Sequence, residues 1–138
     1  MEFAIQKILL LEDIIPVALA IQSKLSGFDV QAFHNAHSFL KQFQQASFKN
    51  YLSQVDFFIL DFDLGDASIV SSSIYRYILE NKKNNAYLCC ISSYSPPIIE
   101  AHCQNTYKNF NLNSAFDFYL KKDPEEVLKI IHKLIWLH

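Results

Sequence analysis

Apolar residues along this 138-residue chain alternate between two patterns. Short, nearly continuous runs recur at "KILLL" (7–11), "DVQAF" (29–33), "VDFFIL" (55–60), "AYLCCIS" (86–92) and "FDFYL" (116–120). Runs of this length and composition predict strands, most of them covered on both faces. Between them, apolar positions return at helical spacing. Pro16 suits a first helical turn, Val17, Ala20, Ile21 and Leu25 share a face, and Gly27 stands where that helix would close. "NAHSFLKQFQQ" (35–45) sets Phe39, Leu40 and Phe43 on one helical face, with Asn35 as cap. A third helix is predicted around residues 71–81. The last begins sharply: Asp123 caps, Pro124 takes the first turn, Glu126 completes a capping box, and Val127, Ile130, Ile131, Leu134 and Ile135 form its buried stripe. The stretch around Pro96 and Pro97, followed by the Asn-rich "NTYKNFNLN" (105–113), shows no clear pattern.

Strand followed by helix, five times over, predicts an α/β fold: a doubly wound, five-stranded parallel sheet with right-handed crossovers. Composition agrees with one packed domain over residues 1–138, since 51% of residues are hydrophobic and 19% charged. The net charge of −2 and the lack of a basic block argue against nucleic-acid binding. The N-terminal "MEFAIQKILLLED" breaks into acids too soon for a signal peptide, and no stretch approaches a membrane span. Cys89, Cys90 and Cys103 have no framework spacing, and the first two read as core residues inside a strand. The expectation is a cytoplasmic protein with reduced thiols.

"VDFFILDFDLGD" changes this picture from fold to chemistry. An apolar strand there ends in Asp61, Asp63 and Asp66 rather than in the usual turn residues. Gathering carboxylates at the mouth of a buried strand is unfavourable unless a cation or a reaction compensates them. In doubly wound sheets ligands bind at the carboxyl ends of the strands. Strand one ends in Glu12 and Asp13, strand three in Asp61, strand four in Ser92 and Ser93, and strand five in Lys121 and Lys122. Mg²⁺ takes one or two carboxylates and favours a phosphate as a further ligand. A carboxylate can accept a phosphoryl group, whose oxygens then need a metal, an ammonium and a hydroxyl.

The pieces "LLLED" (9–13), "FILDFDLGD" (58–66), "CCISS" (89–93) and "FDFYLKKDPEEVL" (116–128) together resemble a response-regulator receiver domain of the CheY-like superfamily, across nearly the whole chain. The resemblance implies the flavodoxin-like (βα)5 sandwich. It also implies Asp61 as phosphoacceptor. Mg²⁺ (or Mn²⁺) would be held by Asp13, Asp61 and the Asp63 backbone carbonyl, with Glu12 in the second shell or acting through water. Ser92 then stands for the switch hydroxyl, Lys122 for the phosphate-contacting lysine, and Tyr119 for the aromatic that turns inward on activation. Partners implied are a histidine kinase or phosphotransfer protein and an output protein, with no nucleic acid, no membrane and a homodimer left open. No output domain is expected in this chain. Two departures stand in the loop after the acceptor, where Gly65 and Ile69 replace the family's usual Pro and Gly. A third is the long segment between Ser92 and Lys122.

Plainer readings stand beside these. Glu12 and Asp13 suit a helix start, Ser93 lies one residue from Ser92, and alternation directs only one of Lys121 and Lys122 to the site, with Lys122 favoured. Tyr119 suits a half-buried core position. His34 and His37 read as surface residues without further metal-type ligands. Trp136 points away from the apolar stripe, either exposed or folded onto a neighbour. Two other functions fit parts of the pattern: a degenerate receiver that binds partners without phosphorylation, and a haloacid-dehalogenase-type phosphatase using "DFD". The second is disfavoured because its motif ends a first strand, not a third.

Overall fold

Strands β1 (Lys7–Leu11), β2 (Asp29–Phe33), β3 (Phe57–Asp61), β4 (Tyr87–Ile91) and β5 (Phe118–Leu120) lie parallel in one sheet. Their order is β2–β1–β3–β4–β5. The chain is known from a computed structural model that describes residues 5–64, 73–106 and 115–136. Gly65, Asp66, Ile69 and most of the Asn-rich stretch lie outside the described residues.

Alternation along the strands divides the core in two. Leu9, Leu11, Phe58, Leu60 and Cys90 face one layer, and Ile8, Leu10, Phe57, Ile59 and Cys89 face the other. The second layer is closed by helix α1 (Ile15–Lys24), through Ala18 and Ile21, and by the last helix, α6 (Pro124–Trp136), through Val127, Ile131 and Leu134. Helices α2 (Ala36–Lys41), α3 (Ala46–Leu52), α4 (Ile74–Asn81) and α5 (Pro96–Thr106) serve the first layer. All five residues of β3 are buried, as a central strand covered on both sides requires. Cys89 and Cys90 therefore point to opposite faces, both buried and free, and are core residues rather than a redox pair.

Several local expectations are revised. The helix expected over 35–45 is shorter, covering Ala36–Lys41. Asn35 does cap it, its Oδ1 accepting the Ser38 N–H at 2.7 Å. A 3₁₀ turn at Gln42–Gln44 and extended Gln45 then break the run before α3. The break suits the aromatic core: Phe43 stacks on Tyr77 with centroids 3.6 Å apart, while Phe48 meets Phe33 and Phe39 edge-on. Helix α1 ends before Gly27; Leu25 closes it, its N–H reaching Ile21 and Gln22 carbonyls. The capping box of α6 is half made. Asp123 Oδ1 accepts the Glu125 N–H at 3.0 Å, but Glu126 reaches the Lys121 N–H instead. The unpatterned stretch after Ser95 is α5. Its two prolines occupy the first turn, where no N–H is needed, and Ile99 and Cys103, four apart, are its buried side. Strand β5 is shorter than expected: Asp117 clamps onto β4, donating its N–H to the Leu88 carbonyl at 2.8 Å and accepting the Leu88 N–H on its side chain at 2.7 Å. Trp136 is 87% exposed, His37 is exposed, and His34 is half-buried.

Candidate functional site

Strand register assembles the carboxyl edge. Leu11 pairs with both Phe33 and Leu60, so Glu12, one residue on, comes level with Asp61. Asp61 pairs with Ile91, which pairs with Leu120. Ser92 and Lys122 thus follow just beyond the ends of β4 and β5. Strand order reverses between β1 and β3, the place where this class of sheet leaves a crevice.

Lys122 draws the cluster together. Its ammonium lies 2.9 Å from Glu12 Oε1, 2.9 Å from Asp61 Oδ2 and 3.9 Å from Asp13 Oδ1. One ammonium faces three carboxylates, so charge is only partly compensated. Oxygens of Glu12, Asp13 and Asp61 all lie within 4.8 Å of one another. Glu12 and Asp61 are wholly buried. Glu12 also caps the start of α1, Oε1 accepting the Ile14 N–H at 3.2 Å. Asp61 Oδ1 accepts the Asp63 N–H at 3.2 Å. Among the described residues, three buried side-chain atoms lack a hydrogen-bond partner: Glu12 Oε2, Asp13 Oδ1 and His34 Nδ1. Two of the three belong to this cluster. Orphaned carboxylate oxygens in a buried acidic group fit a hard divalent cation, whose ligands are carboxylate oxygens, waters and phosphate.

The electrostatics follow. Burial first, then the Asp13 carboxyl and the Glu12 charge, push the Asp61 carboxyl up to about 8, against the pull of Lys122. Burial alone would lower Lys122, but its bonds to Glu12 and Asp61 outweigh that and hold it above its usual range. Metal-free, the site shares too few positive charges among its acids.

By sequence, no family model and no curated protein matches the chain. Solved structures do match. A receiver domain (CheY-like) from Methylobacillus flagellatus superposes with a TM-score of 0.64 at 18% identity, over 95% of this chain and 99% of that one. The response regulator TrrA from Thermotoga maritima, solved in complex with Mg²⁺–BeF, gives 0.62 at 20% identity, over 94% and 98%. A response regulator from Burkholderia pseudomallei with a phosphorylated aspartic acid and a calcium ion gives 0.60 at 17%, over 91% of this chain and 66% of that one. The fold is that of a response-regulator receiver domain.

This receiver fold brings Glu12, Asp13, Asp61 and Lys122 into contact distance. Lys122 rather than exposed Lys121 enters the cluster, and buried Ser92 rather than exposed Ser93 stands at the end of β4. The Ser92 Oγ accepts the Tyr94 N–H at 2.9 Å, and its own N–H bonds the Leu120 carbonyl at 3.1 Å. A hydroxyl that accepts one bond keeps its proton to donate. Tyr119 on β5 is half-buried and packs edge-on against Phe116. Sequence reasoning passed over Tyr94, which fixes the Ser92 oxygen through its backbone; no side-chain signal marks such a role.

Proposed function

We propose that the chain is a phosphoacceptor receiver of two-component or phosphorelay signalling, with Asp61 as the acceptor. The observation that carries this is a wholly buried Asp61 held between Lys122 and two further acids, each with a buried oxygen (Glu12 Oε2, Asp13 Oδ1) that accepts no hydrogen bond. A histidine kinase or phosphotransfer protein would donate. An Asp61 carboxylate oxygen attacks phosphorus, the P–N bond of the phosphohistidine breaks, and its electron pair returns to the imidazole.

Asp13, Asp61 and the Asp63 carbonyl would hold Mg²⁺ (or Mn²⁺), with Glu12 behind them or acting through water. Bound there, such an ion supplies positive charge to phosphoryl oxygens. The chain's own residues do the rest. Lys122, already 2.9 Å from Asp61, pairs with a phosphoryl oxygen. Ser92 donates its hydroxyl proton while Tyr94 holds its oxygen. Drawing Ser92 toward the new charge biases the β4–α5 connection and Tyr119, which changes the surface offered to an output protein.

Intact mass after incubation with acetyl phosphate, with and without Mg²⁺, tests this on wild type and Asp61→Asn. A Mg²⁺-dependent phosphoryl adduct absent from the variant is expected. No adduct, together with no Mg²⁺ or beryllofluoride binding, would reject the reading in favour of a phosphorylation-independent interaction module. An adduct surviving the substitution would mean another acceptor.

A further inference from the structure

The outer face of α6 takes no part in the acidic edge. Val127, Ile131 and Leu134 turn into the core, and Lys129, His132, Lys133 and Trp136 return at three- and four-residue spacing on the opposite, exposed side. The stripe runs about 10 Å along the helix axis. Lys133, in the last turn, suits the negative end of the helix dipole. That accounts for neither Lys129 nor a tryptophan left 87% exposed.

Local neutralisation is bypassed here. Glu125 stands four residues before Lys129, the spacing at which a glutamate ordinarily pairs with a lysine on a helix surface. It pairs instead with Lys24 of α1. Among the described residues, neither Lys129 nor Lys133 has an ion pair. The face therefore presents two uncompensated ammonium groups one turn apart, with an indole beyond them and the His132 ring between.

Charge chooses among occupants. A second copy meeting the same stripe about a twofold axis would set lysines against lysines. A membrane holds a surface helix by a broad apolar face and a larger basic cluster, whereas the apolar face of α6 is in the core. Two lysines are a small footprint for nucleic acid, in a chain of net charge −2. An acidic protein segment matches the lysines, and tryptophan is among the residue types that anchor protein interfaces. We propose that the outer face of α6 docks an acidic segment of a partner protein, Lys129 and Lys133 taking its carboxylates and Trp136 covering an apolar side chain beside them. Helix α6 packs on the same core layer as α1, whereas Tyr119 and α5 belong to the other, so this docking does not need a phosphoryl group on Asp61.

Trp136 is the only tryptophan of the chain, so its fluorescence reads this face alone. The test selects phage-displayed random peptides, about twelve residues long to allow three helical turns, on the full unphosphorylated chain. Counter-selection uses the chain carrying Lys129→Glu and Lys133→Glu. Selected peptides should be rich in Asp and Glu around an apolar residue, and should shift Trp136 emission to the blue saturably. They should bind the charge-reversed chain at least about tenfold more weakly, and bind more weakly as salt is raised. Lys129→Gln with Lys133→Gln, which removes the charges without reversing them, should lose less; both variants should keep the native circular dichroism, since the positions are exposed. Peptides that leave Trp136 unshifted, peptides that are neutral or basic, or equal binding to the charge-reversed chain overturn the proposal. So does a blue shift caused by the chain's own concentration or by phosphatidylglycerol vesicles but not by peptide, which would assign the face to a second copy or to a membrane. Because Asp61 stays unmodified throughout, failure of the phosphoacceptor reading leaves this result untouched.

Discussion

Two aspartates bracket the same strand and have opposite fates. Asp56 precedes β3 and is 6% exposed; Asp61 ends β3 and is wholly buried. Asp56 Oδ2 accepts the Gln6 and Lys7 N–H groups, each at 2.9 Å, and Oδ1 pairs with the Lys83 ammonium. Burial would raise its carboxyl, but the Lys7 N–H, Lys83 and the Gln6 N–H together hold it below the usual range. Asp61 has Lys122 and one N–H, but shares the lysine with Glu12, and its carboxyl is driven up to about 8. One acid staples β1 to β3; the other shares a single ammonium with Glu12. The amino edge of the sheet is satisfied, and the carboxyl edge is not. Such unsatisfied charge is where a fold departs from its own stability in favour of chemistry.

The contrast can be broken most severely at Lys122. Lys122→Met leaves Glu12, Asp13 and Asp61 without their ammonium and should cost about 3–5 kcal/mol by urea unfolding at pH 8. Mg²⁺ should restore a large part of that loss. Equal destabilisation with and without Mg²⁺ would show that the cluster does not take the ion.

Asp56→Ala comes next. Removing it leaves two strand N–H groups and Lys83 without their acceptor, an expected loss of about 2–3 kcal/mol that Mg²⁺ does not restore. Rescue of this variant by Mg²⁺ would erase the distinction between the two edges.

Titration of stability sharpens the contrast through opposite signs. The folded value of Asp56 is depressed, so its contribution is present above about pH 3.9, the ordinary carboxylate value, and is lost as pH falls through the folded value. Asp61 is raised, so the folded chain keeps a proton that the unfolded chain releases. Its contribution is full below about pH 3.9 and declines as pH rises to about 8, with a slope of at most about 1.4 kcal/mol per pH unit. Mg²⁺ should flatten that decline, because the ion takes the deprotonated carboxylate. Unfolding curves across pH 4 to 8, with and without Mg²⁺, read this directly, and a stability that rises through the window would contradict it.

Asp61→Asn should have the smallest effect on stability. Burial favours the neutral form of Asp61, and the amide has the same shape, so the change should stay within about 1 kcal/mol. Its pH-dependent decline should vanish. A loss comparable to that of Asp56→Ala would mean that Asp61 is a structural staple too.

Much of this was legible along the chain, and for stated reasons. Buried strands write themselves as apolar runs, so β1, β3 and β4 stood out. Acids at the ends of such runs are conspicuous because a buried strand end disfavours charge, which exposed Glu12, Asp13 and Asp61. Alternation allowed only one of Lys121 and Lys122 at the site, and the receiver resemblance favoured Lys122. Helix α5 was hidden because Pro96 and Pro97 read as breakers although a first turn tolerates them. The early end of the helix expected over 35–45 was hidden as well, since Phe43 stacks on Tyr77 of another helix. Asp56 and Asp117 look alike in sequence to the site acids. Only their strand N–H partners reveal them as staples.

What the amino-acid order determined by itself was therefore the alternation of elements, and with it the kind of sheet and the edge where charge collects. Periodicity and end chemistry are local properties, carried by neighbours in the chain. Tertiary structure alone decided which acids are satisfied. Whether a carboxylate meets two amides and a lysine, or two other carboxylates and a shared lysine, depends on strand register and on residues as far apart as Glu12 and Lys122.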